Sequence, residues 1–369
     1  MKDKKTDWGL TPLEKLREEM DALDRELSLL LQKRLDLVTR IADYKKENHI
    51  QVLDRGREEK VIENVLSVLQ NPEYAQCLKL TYEGIMAQSR EFQTKRLSSS
   101  STSPKKYALI GEKLSHSLSP RIHSLFFEKA GLKATYLLKE VPRDQLAGLL
   151  DRLKEEGHAG INITIPYKTE LMSALNFISN EARNIGAVNT ILLGEEYRGY
   201  NTDYYGFGMA LDHHGLSYEG KRCAVLGSGG SSRAVIAFLK DHGASEIHLV
   251  TRNPQEAKQK FPDLPCTDIK AFTASGFDLV VNTTPVGMSS HSQASPLTED
   301  QLKGAGAVMD LIYNPKETVL LSYCRALCIP CANGLFMLVA QALCAQEIWQ
   351  GYKVSPGMIE EIYEELNRS

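Results

Sequence analysis

The sequence predicts an all-α front segment built on one long helix, followed by two α/β segments, and three observations carry that reading. Residues 11 to 47 contain no glycine and repeat apolar side chains at helical steps. Residues 97 to 106, LSSSSTSPKK, are serine-rich, carry Pro104 and cannot bury a core. Beyond them short apolar runs alternate with helical patterns, the signature of a mostly parallel sheet covered by helices.

With 369 residues the chain is too long for one ordinary domain. Hydrophobic residues make up 42% and charged ones 25%, and 44 Lys plus Arg face 47 Asp plus Glu. No global field therefore attracts nucleic acid or an anionic membrane, although local clusters leave room for small anionic ligands. The start, MKDKKTDWGL, has no apolar core of signal-peptide length, and no apolar run approaches a membrane span, so a cytoplasmic protein is expected. Seven cysteines, an odd number, argue for free thiols. Cys324, Cys328 and Cys331 form C-x3-C-x2-C, which resembles the cluster-binding triplet of radical enzymes that use S-adenosylmethionine. That triplet runs from a helix end into a strand rather than along one exposed loop, and the nine histidines show no zinc spacing. No metal is expected.

In chain order, Thr11 and Pro12 read as the cap and first residue of the long helix. Leu13, Leu16, Met20, Leu23, Leu27, Leu30, Leu37 and Ile41 mark one apolar stripe along it. A second helix is expected near Asp54 and a third over residues 73 to 95. The runs YALIG, ATYLLKEV, GINITIP and AVNTILL form the first strand group; CAVLG, EIHLVTR, FDLVVNTTP and AVMDLIY form the second. From Gly334 onward the chain reads as helical, and there is no internal repeat. The expected division is 1–96 helical, 97–105 linker, 106–209 with 335–369 as the substrate-side domain, and 210–334 as the cofactor domain.

Strand CAVLG is followed at once by Gly227, Gly229 and Gly230, and then by a helix carrying Ala234. Glycines there allow a tight turn and let backbone amides approach a pyrophosphate at a helix N-terminus, the arrangement of a Rossmann-like dinucleotide site. The bland alternative is an ordinary tight turn. A ribose 2′-hydroxyl calls for an acid after the next strand, a 2′-phosphate for a cation; VTRN offers Arg252 and no acid before Glu256. NADP is therefore expected rather than NAD, with Ser231, Thr251 and Asn282 as further candidate cofactor contacts.

INITIPYKTE, residues 161 to 170, poses a separate question: why an Ile/Thr strand passes through Pro166 and delivers Lys168. Taken singly, Lys168 reads as solvated, Ser117 as a helix cap, Asn189 as a turn residue and Gln341 as a solvated helix position. Together, SHSLSP at 115–120, NITIPYK, AVNT at 187–190, YNTD at 200–203 and GLFMLVAQA at 334–342 occur in an order that resembles shikimate dehydrogenase over residues 106–369. The resemblance implies that Lys168 and Asp203 are the catalytic pair in an interdomain cleft. It implies that Ser117 and Ser119 donate to the substrate carboxylate, and that Thr164, Asn189, Tyr313 and Gln341 contact ring hydroxyls or that carboxylate. One departure stands out: members often carry a glycine directly after NTD, and here Tyr204 and Tyr205 precede Gly206.

Residues 13–95 carry LREEMDALDRELSLLLQKR, DYKKEN, VLDRGREE and IMAQSREFQ, which resemble the all-helical chorismate mutase family. Matching positions make Arg17, Arg34, Lys45, Asp54, Arg57, Glu58, Ser89 and Gln93 the polar site. In this reading Arg17, Arg34 and Arg57 clamp carboxylates, Lys45 and Gln93 serve the ether oxygen, and Glu58 and Asp54 meet the hydroxyl or orient cations. Any one of these charges alone would read as a solvated helix face. Arg34 and Lys45 lie about three helical turns apart and share a face, whereas Arg17 sits roughly 25 Å further along the same helix. Arg17 cannot reach the same small ligand, so a second chain is expected to supply it in an intertwined homodimer. The resemblance thus implies a bifunctional enzyme acting at two non-consecutive steps of aromatic amino acid biosynthesis. The alternatives are a front segment that only senses chorismate or prephenate or only dimerises, and a dehydrogenase that also takes quinate.

Overall fold

The computed structural model describes residues 12–47, 55–98, 104–114, 117–288 and 293–368. It divides into two compact units, residues 1–101 and 102–369.

The first unit is three helices, α1 (Pro12–Glu47), α2 (Arg55–Ser67) and α3 (Ala75–Ser98). Good helix formers fill α1 without a glycine to interrupt it. Asp54, expected near the start of α2, lies outside the described residues. The third helix begins later than expected because Pro72–Tyr74 forms a 3-10 turn, with the Asn71 side chain accepting from the Glu73 amide at 3.0 Å. The serine linker is also shorter than expected, since α3 runs to Ser98. Only the second half of α1 is covered: Val38 and Ala42 are buried together with Met86 of α3. Along the first half the apolar stripe stands bare, Leu23 and Leu30 each being 61% exposed.

The second unit begins with β1 (Lys105–Gly111), α4 (Ser119–Ala130), β2 (Ala134–Glu140), α5 (Leu149–Glu155), β3 (His158–Ile163), β4 (Phe177–Ile178), α6 (Asn180–Ile185), β5 (Thr190–Leu193), β6 (Tyr197–Tyr200) and α7 (Thr202–His213). These strands form one sheet in the order β2-β1-β3-β5-β6-β4. β1, β2 and β3 pair in parallel, while β5 runs antiparallel to both β3 and β6. In β3 the side chains alternate: Ile161 and Ile163 enter a core with Ala108, Ile110 and Ile191, leaving Asn162 to the opposite face.

There follow β7 (Arg222–Leu226), α8 (Gly230–Asp241), β8 (Glu246–Thr251), α9 (Pro254–Lys260), β9 (Cys266–Asp268), β10 (Leu279–Asn282), α10 (Glu299–Leu302), β11 (Val308–Asp310), α11 (Val319–Ala326), β12 (Cys331–Ala332), α12 (Leu335–Gln350) and α13 (Pro356–Arg368). This second sheet is all parallel in the order β12-β11-β10-β7-β8-β9, so the chain switches direction between β7 and β10. Ligands in such sheets bind outside the strand C-termini at that switch. The expected boundary at 209/210 falls inside α7, which runs on to His213. One core joins both sheets, with Tyr107, Phe207, Val225 and Leu343 among its fully buried members.

Candidate active sites

The strand that raised the question ends in a tightly held turn. Beyond Ile163, the Thr164 amide donates to the Ile110 carbonyl at 2.9 Å and the Tyr167 amide to Thr164 at 3.0 Å. Tyr167 is fully buried, and its hydroxyl donates to the Val141 carbonyl at 2.6 Å; the Lys168 carbonyl accepts from the Val188 amide at 2.8 Å. The chain is thus pinned on both sides of the Lys168 stem, and the Ile165–Pro166 bond between is cis.

Lys168 Nζ meets Asp203 Oδ2 at 2.5 Å, and each side chain is 11% exposed. Asp203 stands in the first turn of α7, and its other oxygen accepts from Asn189 Nδ2 at 2.9 Å. Asn189 Oδ1 accepts from the Thr202 amide at 2.7 Å, which locks the helix start against the sheet. Asn162 donates to Thr190 Oγ1 at 2.9 Å and accepts from the Tyr136 hydroxyl at 2.8 Å. Burial pushes the Tyr136 phenol up, against a hydrogen bond from Ser119, and pulls His123 beside it down to about 3. The base of the site is therefore a neutral, hydrogen-bonded layer in which few groups lack a partner.

Above that layer opens a cleft of about 270 Å³. All eight residues expected on this side line it: Ser117, Ser119, Thr164, Lys168, Asn189, Asp203, Tyr313 and Gln341. Asn162 and Ser231 line it too, with an apolar flank that includes Met288, Leu311 and Leu338. Ser231 had been expected only against cofactor. In β3 Asn162 shares its face with His158 and Gly160, so the strand pattern does not set it apart. Tyr204 and Tyr205, the departure after NTD, lie within α7 rather than in a loop, and the Tyr204 hydroxyl donates to Asp241 of α8 at 2.9 Å.

A second cavity adjoins at the sheet switch point. Gly227, Gly229, Gly230, Ser231, Thr251 and Arg252 line it as expected, joined by Ser228, Thr283 and Thr284. Gly227 adopts a φ of 102°, and a Cβ there would come within 3.0 Å of Thr283 Oγ1. A Cβ on Gly230 would lie 3.5 Å from Lys168 Cδ, so the glycine turn and the lysine stem are neighbours. Asn282 is corrected: it is fully buried, donating to Asp310 at 2.9 Å and accepting from the Thr284 amide at 3.0 Å. It shapes the Thr283–Thr284 turn and does not line the cavity. Exposed Arg252 has no carboxylate partner among the described residues. Glu256, the next acid along the chain, is held by Lys260 at 2.6 Å and Asn253 at 3.1 Å. The donor set fits a dinucleotide with a 2′-phosphate, because the rim offers a cation and no competing acid.

In the first unit a cavity of about 420 Å³ lies among the three helices. Arg34, Lys45, Arg57, Glu58, Ser89 and Gln93 line it, and Arg34 donates to Ser89. Arg17 is exposed and lies outside this lining; Asp54 lies outside the described residues. Arg90 lines it as well, a residue the sequence did not single out.

Of the cysteine triplet, Cys324, buried in α11, contacts Cys331, half-buried in β12, while Cys328 is exposed. Among the described residues no group of three or more His, Cys, Asp or Glu could hold a metal ion, and no helix is long and apolar enough to cross a membrane.

A parallel sheet with a glycine turn at its switch point, beside a lysine–aspartate pair set after a strand of the other sheet and at the start of a helix, defines a dehydrogenase that takes a dinucleotide. Residues 109–191 match the model of the shikimate dehydrogenase substrate binding domain, and residues 16–94 match that of chorismate mutase type II. A shikimate dehydrogenase (NADP(+)) of Clostridium perfringens is 42% identical over 71% of this chain and 98% of its own. A crystal structure of a chorismate mutase/shikimate 5-dehydrogenase fusion protein from Clostridium acetobutylicum is 41% identical, with a TM-score of 0.70 over 72% of this chain and 98% of that one. Shikimate 5-dehydrogenase from Thermus thermophilus, solved with NADP(H) and shikimate, is 34% identical, with a TM-score of 0.64 over 71% of this chain and 99% of that one. The chain belongs to the shikimate dehydrogenase family, and it carries a chorismate mutase type II segment in front.

Proposed function

We propose that the chain is a bifunctional enzyme that interconverts 3-dehydroshikimate and shikimate with NADP, and rearranges chorismate to prephenate. The observation that carries the first activity is the 2.5 Å Lys168–Asp203 pair standing beside the glycine turn. NADPH, when bound, supplies hydride to the carbonyl carbon. As charge develops on the carbonyl oxygen, the Lys168 ammonium stabilises it and delivers a proton; in reverse Lys168 accepts the hydroxyl proton. Asp203, itself oriented by Asn189, holds the ammonium in place. Ser117 and Ser119 face the substrate carboxylate, while Thr164, Asn189, Tyr313 and Gln341 read the remaining polar groups. The glycine turn with Ser231 and Thr251 takes the pyrophosphate end, and Arg252 the 2′-phosphate.

The second reaction breaks an enol ether in a pericyclic step and needs neither nucleophile nor cofactor, only a held geometry and positive charge at the ether oxygen. Lys45 and Gln93 supply that charge and hydrogen bond, Arg34 and Arg57 the carboxylate clamps, with Glu58 and Asp54 on the hydroxyl side. The missing clamp is Arg17 of a second copy, and the bare Leu23 and Leu30 stripe supports the pairing of two α1 helices. A cytoplasmic setting fits seven cysteines that are all unpaired.

A second reading, a front unit that binds chorismate or prephenate without useful turnover, is favoured by one observation: within a single copy the cavity has no Arg17. Two assays on one preparation decide. NADP reduction with shikimate and loss of chorismate are followed for the wild type, Lys168→Ala and Arg34→Ala. Each substitution is expected to abolish its own reaction and spare the other; a wild type that never consumes chorismate leaves only the binding role.

A further inference from the structure

Arg90 has no task in the assignment above, yet it lines the front cavity from α3, one residue beyond Ser89, and forms an ion pair with Glu58 of α2. The pair is largely withdrawn from solvent, with side-chain exposures of 18% for Arg90 and 28% for Glu58. Around it the wall is apolar, formed by Val61 and Met86 with Val38 opposite. Glu58 is the one carboxylate among the described residues of the lining, facing a cavity that otherwise presents Arg34, Lys45, Arg57 and Arg90.

A carboxylate against an apolar wall pays for its desolvation unless a cation stays beside it, and its rotamer is free unless something grips one oxygen. Arg90 meets both needs, because a guanidinium holds one oxygen by a charge-assisted hydrogen bond and leaves the other lone pairs to accept. The residue sits at the seam where α2 and α3 pack, so the same contact fixes the distance between Glu58 and the Ser89–Gln93 face of α3.

We infer that Arg90 is a positioning residue for the mutase reaction: it grips one oxygen of Glu58 so that the carboxylate is turned to accept a hydrogen bond from the ligand's hydroxyl. The inference rests on reading this cavity as the chorismate site. It separates Arg90 from the clamps, since its effect runs through Glu58 and not through the ligand's own carboxylates.

The test is a mutant cycle on the full-length protein, with chorismate as the probe and steady-state kinetics as the readout. Arg90→Met, which keeps the bulk and removes the charge, is expected to raise KM about tenfold and to lower kcat less. Arg90→Lys should recover most of that loss. In a Glu58→Gln background, where there is no charge to hold, adding Arg90→Met should change KM less than twofold. Helical circular dichroism of each variant reports whether the front unit has folded, and dehydrogenase activity that the second unit is intact. Multiplicative effects of the two substitutions, or an unchanged KM in Arg90→Met, overturn the inference. A wild type without mutase activity overturns the underlying reading of the cavity instead, so the two failures are told apart.

Discussion

The Lys168 cleft is completed inside one chain, whereas the front cavity leaves half of its longest helix bare. In the cleft each reactive group stands at the end of a strand or the start of a helix whose backbone is already tied down. Lys168 follows β3, Asn189 precedes β5, and Asp203 opens α7. Between them lies a layer of neutral side chains that are buried and hydrogen-bonded, Asn162, Thr190 and Thr202 among them. The front cavity draws its polar groups from helix faces, held by side-chain contacts such as Arg34 with Ser89. A sheet lends precision to whatever sits at its edge; a helix face gains it only when another helix covers the rest. The two activities should therefore fail independently and for different reasons.

The largest break is chemical. Lys168→Ala removes both the stabilising charge and the proton donor, so kcat for NADP reduction with shikimate should fall by about 10³-fold while chorismate turnover stays put. A matching loss of mutase activity would show that the sites are not separate. The next break is physical. Glu at both Leu23 and Leu30 places charge on the bare stripe, where burial of each leucine is worth about 1.5–3 kcal/mol. Sedimentation should then show a monomer, with mutase activity down by about a hundredfold and dehydrogenase activity within twofold. A monomeric variant that still rearranges chorismate at the wild-type rate would remove the need for a second Arg17.

Arg252 sharpens the contrast within the larger unit. Exposed at the rim with Glu256 held by Lys260 and Asn253, it has one expected use, the 2′-phosphate. Arg252→Ala should raise the KM for NADP roughly tenfold to thirtyfold, the scale of a lost charge-assisted hydrogen bond, and leave the KM for shikimate alone. Equal loss with NAD would place Arg252 in folding and not in cofactor choice.

Much of this was legible in the sequence, and what was not has physical causes. Lys168, solvated when taken singly, could be found only through the ordered set of motifs around it, and the glycine turn through its place between a strand and a helix. Asn162 escaped because alternation reports which face a strand residue takes, not whether that face is wet. In NTT at the end of β10 all three side chains are polar, and only burial shows Asn282 turned inward with Thr283 and Thr284 turned to the cavity. Arg90 looked like any solvated helix arginine until α2 brought Glu58 to it. Strands β4, β6, β9 and β12 are too short for periodicity to speak. The boundary drawn at 209/210 falls within α7, one unbroken helix packed on both α12 and α8, which hydrophobic patterning alone does not delimit.

That helix also carries the smallest predicted effect. Gly206 lies where α7 crosses α12, and a Cβ there would stand 2.8 Å from Gln341 Cβ, 2.9 Å from Gln341 N and 3.0 Å from the Met337 carbonyl oxygen. Two of those three atoms are backbone, which yields only if α12 shifts by a few tenths of an ångström. Such overpacking costs about 1–3 kcal/mol, and the shift moves the one helix that brings Gln341 into the cleft, where Thr202 Oγ1 reaches its side-chain oxygen at 3.4 Å. Gly206→Ala should therefore raise the KM for shikimate roughly threefold, with the KM for NADP and the mutase rate unchanged. The two tyrosines that displaced the glycine from its usual place after NTD are tolerated because both fall within α7, while the close helix crossing is met by the glycine two residues on. If Gly206→Ala bound shikimate as tightly as the wild type, the crossing would be ordinary packing and Gln341 would owe its position to something else.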